Sequence, residues 1–390
     1  MLSYTQPRAS VQLVLQRHAF NAEGQSGQVQ KVLSRIKRCR TSALGYHVYK
    51  CSNEQCGHIK YQYHSCRDRH CPSCGALKKQ QWIEARLQEL LPVKYYHVVF
   101  TLPHELNSIV LGNRKQLFKL LFAASSQTLL SFAKDAKYLG ALPGIISVLH
   151  TWGQQLSFHP HIHCIVSGGG ITGDNTWGDG KKNDHRFLFP VKAMQKVYKG
   201  KFLQGLKQLT ALGQVVLPPA TDIKQLLSVL YQKDWVVYAK APFGGPHAVI
   251  EYLGRYTHKV AISNHRISSI DDEEGTVSFE YKDYGDGGSK KGMTLSCNEF
   301  IRRFAQHILP ERFTKIRTYG YLANRGRSRR IGEILKTMHL PLHKGLIKLP
   351  LQLSLLVNYG VDIKECPCCK QQSMELVHVV FAASKGADDG

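Results

Sequence analysis

The sequence predicts an α+β fold, in which helices flank an antiparallel sheet and a small zinc-binding domain precedes them. Strand and helix patterns interleave along the chain without the regular alternation of a doubly wound fold. Several strands follow one another closely enough to form hairpins, which are antiparallel. Cysteines are concentrated ahead of the first strand of that sheet, at the short spacing of metal-binding turns. With 390 residues, 43% of them hydrophobic, the chain is long enough for more than one domain.

The charge balance indicates a polyanionic partner. Lys and Arg number 52 against 28 Asp and Glu, a formal net charge of +24, and such an excess favours binding to a phosphate polymer. Apolar runs stay well short of the roughly 18 residues of a membrane span, and the N-terminus lacks the apolar block of a secretory signal. We therefore expect a cytoplasmic protein without a membrane partner, whose cysteines are reduced.

A cysteine-rich segment, CSNEQCGHIKYQYHSCRDRHCPSCG, follows a helical region predicted over residues 11–40. Zinc sites commonly take two ligands from each of two short turns. The sequence therefore predicts one structural Zn²⁺ with four thiolate ligands: Cys51, Cys56, Cys71 and Cys74. Cys66 and His70 are alternative ligands, because the segment holds more candidates than one ion needs. A further half-site, CPCC at residues 366–369, has no evident partner in the sequence.

Chain breakers and periodicity divide the rest of the sequence. The stretch KKQQWIEARLQELL is predicted as a helix that ends before Pro92, where we expect a domain boundary. The strand YYHVVFTLP and a helical region over residues 105–137 follow. Two later strands are predicted at DWVVYAK and GTVSFEYKDY, and LSCNEFIRRFAQHILP is predicted as a helix whose Ser296 and Glu299 have capping-box spacing. Three parts are expected: a zinc-binding and DNA-binding domain over 1–92, a larger domain over 93–345, and a C-terminal tail with the CPCC cluster over 346–390.

The stretch HPHIHCIVSGGG forms a predicted hairpin with the preceding strand, GIISVLHTWG. Successive side chains of a strand point to opposite faces. His161 and His163 therefore share one face, and Ile162 and Cys164 share the other. The pattern indicates that one face packs in the core and the other presents imidazoles.

A second informative stretch is GGPHAVIEYLGRYTHKVAISN, predicted as a helix. Tyr252 and Tyr256 lie at positions i and i+4, so both phenols project from one face, with Cβ atoms about 6 Å apart. The same helix carries Arg255 and Lys259. Taken alone, two tyrosines on one helix face are typical of core packing.

Together these motifs resemble a known family. His161-Ile162-His163 resembles the His-hydrophobic-His motif of HUH endonucleases, and the Tyr252 and Tyr256 helix resembles the paired-tyrosine motif of the same superfamily. Four stretches occur in order over roughly residues 40–330: SCRDRHCPSC, TWGQ leading into HPHIH, YLGRYTHKVAISN and RTYGYLANRGR. This ordered set is similar to rolling-circle transposases of the insertion-sequence-ninety-one type, and four motifs are far more specific than one.

The resemblance implies a fold, a reaction and a set of site residues. The 93–345 domain would be the catalytic one, with the RRM-like sheet of HUH endonucleases. Tyr252 and Tyr256 would attack a DNA phosphate, leaving a 5′-phosphotyrosine and a free 3′-hydroxyl. His161 and His163 would bind Mg²⁺ or Mn²⁺, with Gln154 as the third ligand. The alternatives to Gln154 are Gln155, His150 and His159.

The implied function is that of a transposase in the bacterial cytoplasm, which nicks and rejoins single-stranded DNA at the ends of an insertion sequence and at its target. The cations expected to bind DNA are Arg255, Lys259, Arg317, Arg325 and Arg327. Tyr319 and Tyr321 stand beside the last three and could stack on bases.

Two other functions fit the same motifs. One is a plasmid-type rolling-circle replication initiator or relaxase, which does related chemistry. The other is a zinc-dependent DNA-binding regulator without catalysis, in which HPHIH is structural and the tyrosines belong to the core. A metallohydrolase of small molecules fits poorly, because it leaves the charge excess and the zinc segment unused. The sequence indicates no oligomeric state.

Overall fold

The computed structural model describes residues 9–20, 24–179, 188–240, 248–249, 252, 254, 260–342 and 350–382. Every strand pair in these ranges is antiparallel, which confirms the predicted α+β class. The helices are α1 (Val11–Arg17), α2 (Gly27–Lys37), α3 (Ala76–Leu87), α4 (Asn107–Gly112), α5 (Arg114–Lys134), α6 (Val191–Ala211), α7 (Ile223–Gln232), α8 (Cys297–Gln306), α9 (Arg327–Thr337) and α10 (Leu351–Tyr359). The strands are β1 (Gly45–Cys51), β2 (Ile59–Tyr63), β3 (Tyr95–Thr101), β4 (Leu142–Trp152), β5 (Phe158–Ile171), β6 (Trp177–Asp179), β7 (Val237–Lys240), β8 (Ile267–Asp271), β9 (Thr276–Asp283), β10 (Ser289–Ser296), β11 (Ile316–Gly320) and β12 (Met374–Phe381).

The central sheet has the strand order β11-β4-β5-β3-β7, and β6 pairs with the end of β5. The long strands β4 and β5 form the predicted hairpin, in which Leu142 pairs with Ile171 and Trp152 pairs with Phe158 beside the turn. The register shifts between His150 and Trp152, which marks a bulge near the turn. Pairing on both edges of β5 fixes which side chains of β3, β4 and β5 stand side by side.

The two faces of the central sheet bury different cores. On one face of β5, Ile162, Cys164 and Val166 are completely buried in a cluster that includes residues of α5 and α6. On the other face, Ile165 packs with Tyr321 and with apolar residues of α9. The alternation predicted for this strand is confirmed, and the second face is the one that carries histidines.

Residues from both ends of the described chain form another sheet, of order β12-β1-β2. Its outer strand β12 belongs to the segment expected as a C-terminal tail, yet it pairs with β1 from Cys51 back to Gly45. Gly45 has a φ of 79°, and a Cβ at this position would overlap the carbonyl oxygen of Val380. Glycine is therefore required for β12 to approach β1.

The first two helices pack against a third sheet, of order β10-β9-β8, and against α8. Val14 of α1 and Val32 of α2 share a buried cluster with Phe279 and Phe300. The helical region predicted over 11–40 is thus two separate helices, each capped at its start by a serine hydroxyl. Residues before 92 share this core with residues after 260. The domain boundary expected at 92 stays a prediction.

Two other predicted helices differ little from expectation. The helix after Cys74 is α3, which ends at Leu87, a turn earlier than predicted. At the start of α8, the hydroxyl of Ser296 accepts a hydrogen bond from the backbone N–H of Glu299, as the capping spacing predicts. Among the described residues, we find no helix that is both long and apolar enough to cross a bilayer.

Candidate active site and metal centres

Three adjacent strands bring four histidines to one face of the central sheet. His150 on β4 lies opposite His161 on β5, and His163 lies two residues further along β5. On the other edge of β5, His97 on β3 lies opposite Ile165, which makes it a diagonal neighbour of His163. We call His97, His150, His161 and His163 the histidine cluster. Strand register assembles this cluster, because its members come from three separate strands.

Three of these imidazoles converge as a metal site requires. His150, His161 and His163 each offer a nitrogen, and these atoms all lie within 4.8 Å of one another. His150 and His163 are 2% and 8% exposed, whereas His161 is half-buried. Neutral imidazoles are ligands for several divalent transition metals. The arrangement fits a divalent ion held by three imidazoles and approached from the side of His161.

Tyr252 contacts the cluster through His97. Its hydroxyl oxygen lies 3.1 Å from Nδ1 and 3.2 Å from Nε2 of His97, and Nε2 of His97 lies 2.9 Å from Nδ1 of His163. Burial, with Lys240 and His161 as smaller causes, lowers the pKa of His97 to about 3, so this imidazole is neutral at physiological pH. Sequence reasoning identified Tyr252 but missed His97. The available signal was strand alternation in YYHVVF, which sets His97 apart from the apolar side chains on either side of it.

The helix that carries Tyr252 packs against α3. Ala248, Val249, Tyr252 and Gly254 are helical, and Val249 is buried with residues of the second sheet face. At Gly254, a Cβ would lie only 2.5 Å from Cδ1 of Ile83 on α3. The other predicted site residues of this segment lie outside the described residues: Arg255, Tyr256 and Lys259.

The structure groups His150, an alternative to Gln154, with the two histidines of the expected metal site. Gln154 lies in the turn beyond the paired residues of the β4-β5 hairpin, and its carbonyl oxygen accepts a 2.6 Å hydrogen bond from Arg266. It lines a cavity with Pro72 whose described walls include none of the clustered histidines. Strand pairing sets His150 directly opposite His161. Gln154 as the third ligand stays a prediction.

The structure also separates the four cysteines that the sequence grouped into one zinc site. The first cysteine cluster consists of Cys39, Cys66, Cys71 and Cys74. The second cysteine cluster consists of Cys51, Cys56, Cys366 and Cys369. The grouping of Cys51 and Cys56 with Cys71 and Cys74 is therefore corrected. It relied on nearness in sequence, whereas the pairing of β12 with β1 brings the CPCC run beside Cys51.

The first cysteine cluster has the dimensions of a tetrahedral zinc site. Its Sγ atoms are 3.5 Å apart between Cys39 and Cys74, 3.7 Å between Cys39 and Cys71, and 3.7 Å between Cys66 and Cys74. Zn–S bonds of about 2.3 Å in a tetrahedron place sulfur atoms about 3.8 Å apart. Contact with Cys39, more than any other cause, raises the pKa of the Cys71 thiol. A bound cation would therefore be needed to keep all four sulfurs as thiolates.

His70, an alternative zinc ligand, has other partners. Its Nδ1 lies 2.9 Å from a carboxylate oxygen of Asp68, and its Nε2 accepts a hydrogen bond of 3.1 Å from the backbone N–H of Leu309. Both ring nitrogens are thus engaged away from the cysteines. Cys66, the other alternative, belongs to the first cluster, and Cys39 was missed because the basic run around it resembles an exposed helix end.

Comparison with known proteins identifies the family. The family model described as "Putative transposase" matches residues 144–330, and the model described as "Transposase zinc-binding domain" matches residues 13–102. The chain is 40% identical over 366 residues to "Putative transposase y4qJ" of Sinorhizobium fredii (strain NBRC 101917 / NGR234), covering 90% of this chain and 89% of the relative. The chain belongs to the IS91-type transposase family. This family membership confirms the resemblance inferred from the four ordered motifs.

Other similar proteins of known name include a second transposase. The "Transposase for insertion sequence element IS801" of Pseudomonas savastanoi pv. phaseolicola is 32% identical over 302 residues, 76% of this chain and 70% of the relative. Among solved structures, the conjugative relaxase TrwC in complex with DNA matches 29% of this chain and 44% of its own at a TM-score of 0.23 and 15% identity. Its metal-bound structure matches 59% of this chain and 94% of its own at a TM-score of 0.25 and 12% identity.

In this transposase, the arginines predicted to bind DNA differ in their surroundings. Arg325 is exposed. Arg327 is half-buried and forms an ion pair of 3.2 Å with Glu89. The guanidinium of half-buried Arg317 lies 4.2 Å from the centre of the Phe122 ring. Arg325 is therefore the member of this trio best placed to contact a phosphate, while Arg317 and Arg327 have partners within the fold.

The tyrosines beside these arginines are also engaged in packing. Tyr321 is completely buried, and a Cβ added at Gly144 would lie 2.5 Å from its ring. Tyr319 is half-buried and packs against the core beneath α5 and α6. The expectation that Tyr321 stacks on a base is corrected, because its ring has no exposed face.

Proposed function

We propose that this transposase cuts and rejoins single-stranded DNA at the ends of a mobile element and at its target, through a covalent bond between DNA and tyrosine. The observation that carries the proposal is the contact of Tyr252 with His97 beside three converging imidazoles. A phenol next to a divalent-ion site is what tyrosine attack on a phosphate needs. The net charge of +24 suits a DNA partner.

The proposed reaction exchanges one phosphate ester for another. The phenolic oxygen of Tyr252 bonds to phosphorus, and the bond from phosphorus to the 3′-oxygen of the preceding nucleotide breaks. The phenol gives its proton to solvent, and the departing 3′-oxygen takes up a proton from solvent. The products are a 5′-phosphotyrosine and a free 3′-hydroxyl. Because the new ester retains the energy of the bond that it replaces, a 3′-hydroxyl from another strand can reverse the step and complete strand transfer.

His150, His161 and His163 would hold a divalent ion at this site. When bound, such an ion polarises a phosphate oxygen and orients the phosphate for in-line attack. The donor set fits this role, because three neutral nitrogen ligands do not offset the positive charge of the ion. That charge would remain available to attract a phosphate. Of the two ions expected from the sequence, Mn²⁺ suits imidazole ligands better than Mg²⁺, which prefers oxygen.

His97 is proposed as a positioning residue. With its pKa lowered to about 3, the imidazole is too weakly basic to keep the phenolic proton at neutral pH. Its contacts with Tyr252 on one side and His163 on the other would nevertheless fix the orientation of the Tyr252 phenol relative to His163, a proposed metal ligand. A residue that aligns a nucleophile in this way contributes through orientation.

Tyr256 is proposed as the second nucleophile on the strength of its sequence spacing alone. A residue four positions after Tyr252 on a helix faces the same side. Donor cleavage and target cleavage each require a covalent attachment, and two tyrosines would allow both to be held at once.

Labelled single-stranded DNA that contains the element ends tests the proposal. With Mn²⁺, the wild-type protein should form an adduct that survives denaturation, and Tyr252→Phe should form less. Tyr238→Phe is the matched control, since Tyr238 is exposed on β7 and has no part in the cluster. If wild type binds this DNA but forms no adduct with Mn²⁺ or Mg²⁺, the regulator alternative replaces the enzyme.

A further inference from the structure

We propose that the second cysteine cluster binds a Zn²⁺ ion of its own, which fastens the C-terminal strand β12 to the N-terminal sheet. Two ligands, Cys51 and Cys56, come from the start of the chain, and two, Cys366 and Cys369, come from its end. The family models match residues 13–102 and 144–330, so neither includes the later pair. The inference is independent of the proposed DNA cleavage.

The sulfur positions fit a tetrahedral ion. The Sγ atoms of Cys51 and Cys369 lie 3.7 Å apart, those of Cys56 and Cys366 lie 3.8 Å apart, and all four lie within 4.8 Å of one another. Tetrahedral zinc with four thiolates requires sulfur separations of about 3.8 Å. A disulfide requires about 2.05 Å, so these cysteines are not disulfide-bonded, and their separations match those of ligands around one ion.

Each cysteine pair lies on a tight turn of the kind that presents two thiolates to one ion. In the first turn, the backbone N–H groups of Cys56 and Gly57 donate to the carbonyl oxygen of Asn53. In the second, the N–H of Lys370 donates to the carbonyl oxygen of Cys366. The side chain of Asn53 donates a 3.0 Å hydrogen bond to that of Gln371, which joins the two turns.

A hydroxyl group also approaches the sulfurs from outside the cluster. Oγ of Ser373 lies 3.0 Å from Sγ of Cys51 and 3.8 Å from Sγ of Cys369. Hydrogen bonds from such neighbouring groups to ligand atoms are typical of metal sites, where they orient the ligands.

Apolar burial does not explain what holds β12 in place. Among the described residues, its cluster contains three that are buried: Cys51, Cys366 and Met374. Other large apolar side chains of β12 point outward, with Leu376 52% and Phe381 78% exposed. A small sheet with so little core commonly depends on a metal ion for its stability.

The zinc content of the protein tests this site independently of DNA cleavage. The 390-residue protein should be purified under reducing, chelator-free conditions and its zinc counted by mass spectrometry. The double variant Cys366→Ser/Cys369→Ser should contain one Zn²⁺ per chain fewer than wild type. Cys368→Ser is the matched control, since Cys368 is exposed in the same CPCC run and lies outside the cluster. Equal zinc contents in wild type and the double variant would overturn the proposal.

A second measurement on the wild type covers the case in which the double variant does not fold. N-ethylmaleimide should alkylate Cys368 at once, whereas Cys366 and Cys369 should react only after a strong chelator removes zinc. Peptide mapping by mass spectrometry reads all three positions together. Reaction of Cys369 as fast as that of Cys368 in the untreated protein, or a disulfide between Cys51 and Cys369, would refute a bound ion.

Discussion

The histidine cluster shows how side chains of local and distant origin combine at one site. His161 and His163 share a face because alternation is a local property of a strand, and HPHIHC was enough to predict it. His97 hydrogen-bonds to His163 across 66 residues of sequence. Strand register decides such contacts, and no local pattern specifies it. For the same reason, the sequence alone cannot rank Gln154 against His150 as the third ligand.

Loss of one ligand from the histidine cluster should abolish DNA cleavage and leave the fold intact. For His163→Ala we expect nicking of single-stranded DNA to fall by about a hundredfold or more, because a ligand and the hydrogen bond to His97 are both removed. Nicking rate and Mn²⁺ affinity are the measurements. His104→Ala is the control, because His104 is exposed and outside the cluster. Wild-type nicking by His163→Ala would disprove the ligand assignment.

Substitution of His97 should slow the chemical step without weakening DNA binding. His97→Ala removes the group that contacts both Tyr252 and His163, and we expect adduct formation to slow about 10- to 100-fold. His97→Gln, which can still hydrogen-bond to both neighbours, should recover part of the rate. Single-turnover kinetics and DNA affinity should be measured side by side. A weaker DNA affinity with an unchanged rate would assign His97 to binding instead.

Contact with α3 positions the helix that carries Tyr252. The sequence predicted α3 and the helix of Tyr252 from their own periodicity, but it did not show that Gly254 touches Ile83. The cap of α8 was predictable, because Ser296 and Glu299 are close in sequence. The two cysteine clusters were not, since Cys51 and Cys369 are 318 residues apart and meet only because β12 pairs with β1.

Gly254→Ala should impair cleavage by pushing α3 away from the tyrosine helix. The added Cβ would lie 2.5 Å from Cδ1 of Ile83, and such overpacking typically costs about 1–3 kcal/mol. Adding Ile83→Val, which deletes that carbon, should restore both stability and adduct yield. Gly200→Ala in α6 is the control, because a Cβ there meets nothing within 4 Å; alanine should stabilise that helix by about 0.5–1 kcal/mol. If Ile83→Val does not restore stability and adduct yield, overlap with Ile83 is not the cause of the Gly254→Ala defect.

Acid should destabilise the packing of α8 against the β4-β5 hairpin through His307. This side chain is buried next to Thr151 and the carbonyl of Leu156, and burial lowers its pKa to about 4. The ordinary histidine pKa is about 6.5. Between that pH and about 4, His307 is therefore protonated in the unfolded chain but still neutral in the folded chain. Stability should therefore fall as the pH drops from about 6.5 to about 4, by roughly 2 kcal/mol at pH 5.

Urea unfolding of wild type and His307→Gln at several pH values measures this effect. Glutamine can hydrogen-bond but does not titrate, so its unfolding free energy should depend less on pH than that of wild type. If the unfolding free energies of the two proteins change equally between pH 7 and pH 5, His307 is not the cause of the pH dependence.

The two ends of the described chain meet, and this affects how the transposase is divided into parts. The first cysteine cluster and α1 and α2 share a buried core with α8, while the second cysteine cluster draws two cysteines from each end of the described chain. The zinc-binding region therefore contacts α8 and the C-terminal segment. A division at residue 92, drawn from Pro92 and a change in periodicity, could not anticipate contacts between segments so distant in sequence.

The decisive measurement is peptide mapping of the DNA adduct by mass spectrometry. Wild-type protein, single-stranded DNA with authentic element ends and Mn²⁺ should yield a nucleotide attached to the Tyr252 peptide, with a second population on Tyr256. Each single phenylalanine variant should retain adduct on the other tyrosine, and Tyr252→Phe/Tyr256→Phe should form none. An adduct on a residue other than these tyrosines, or none at all in wild type that binds the DNA, would contradict the proposed reaction.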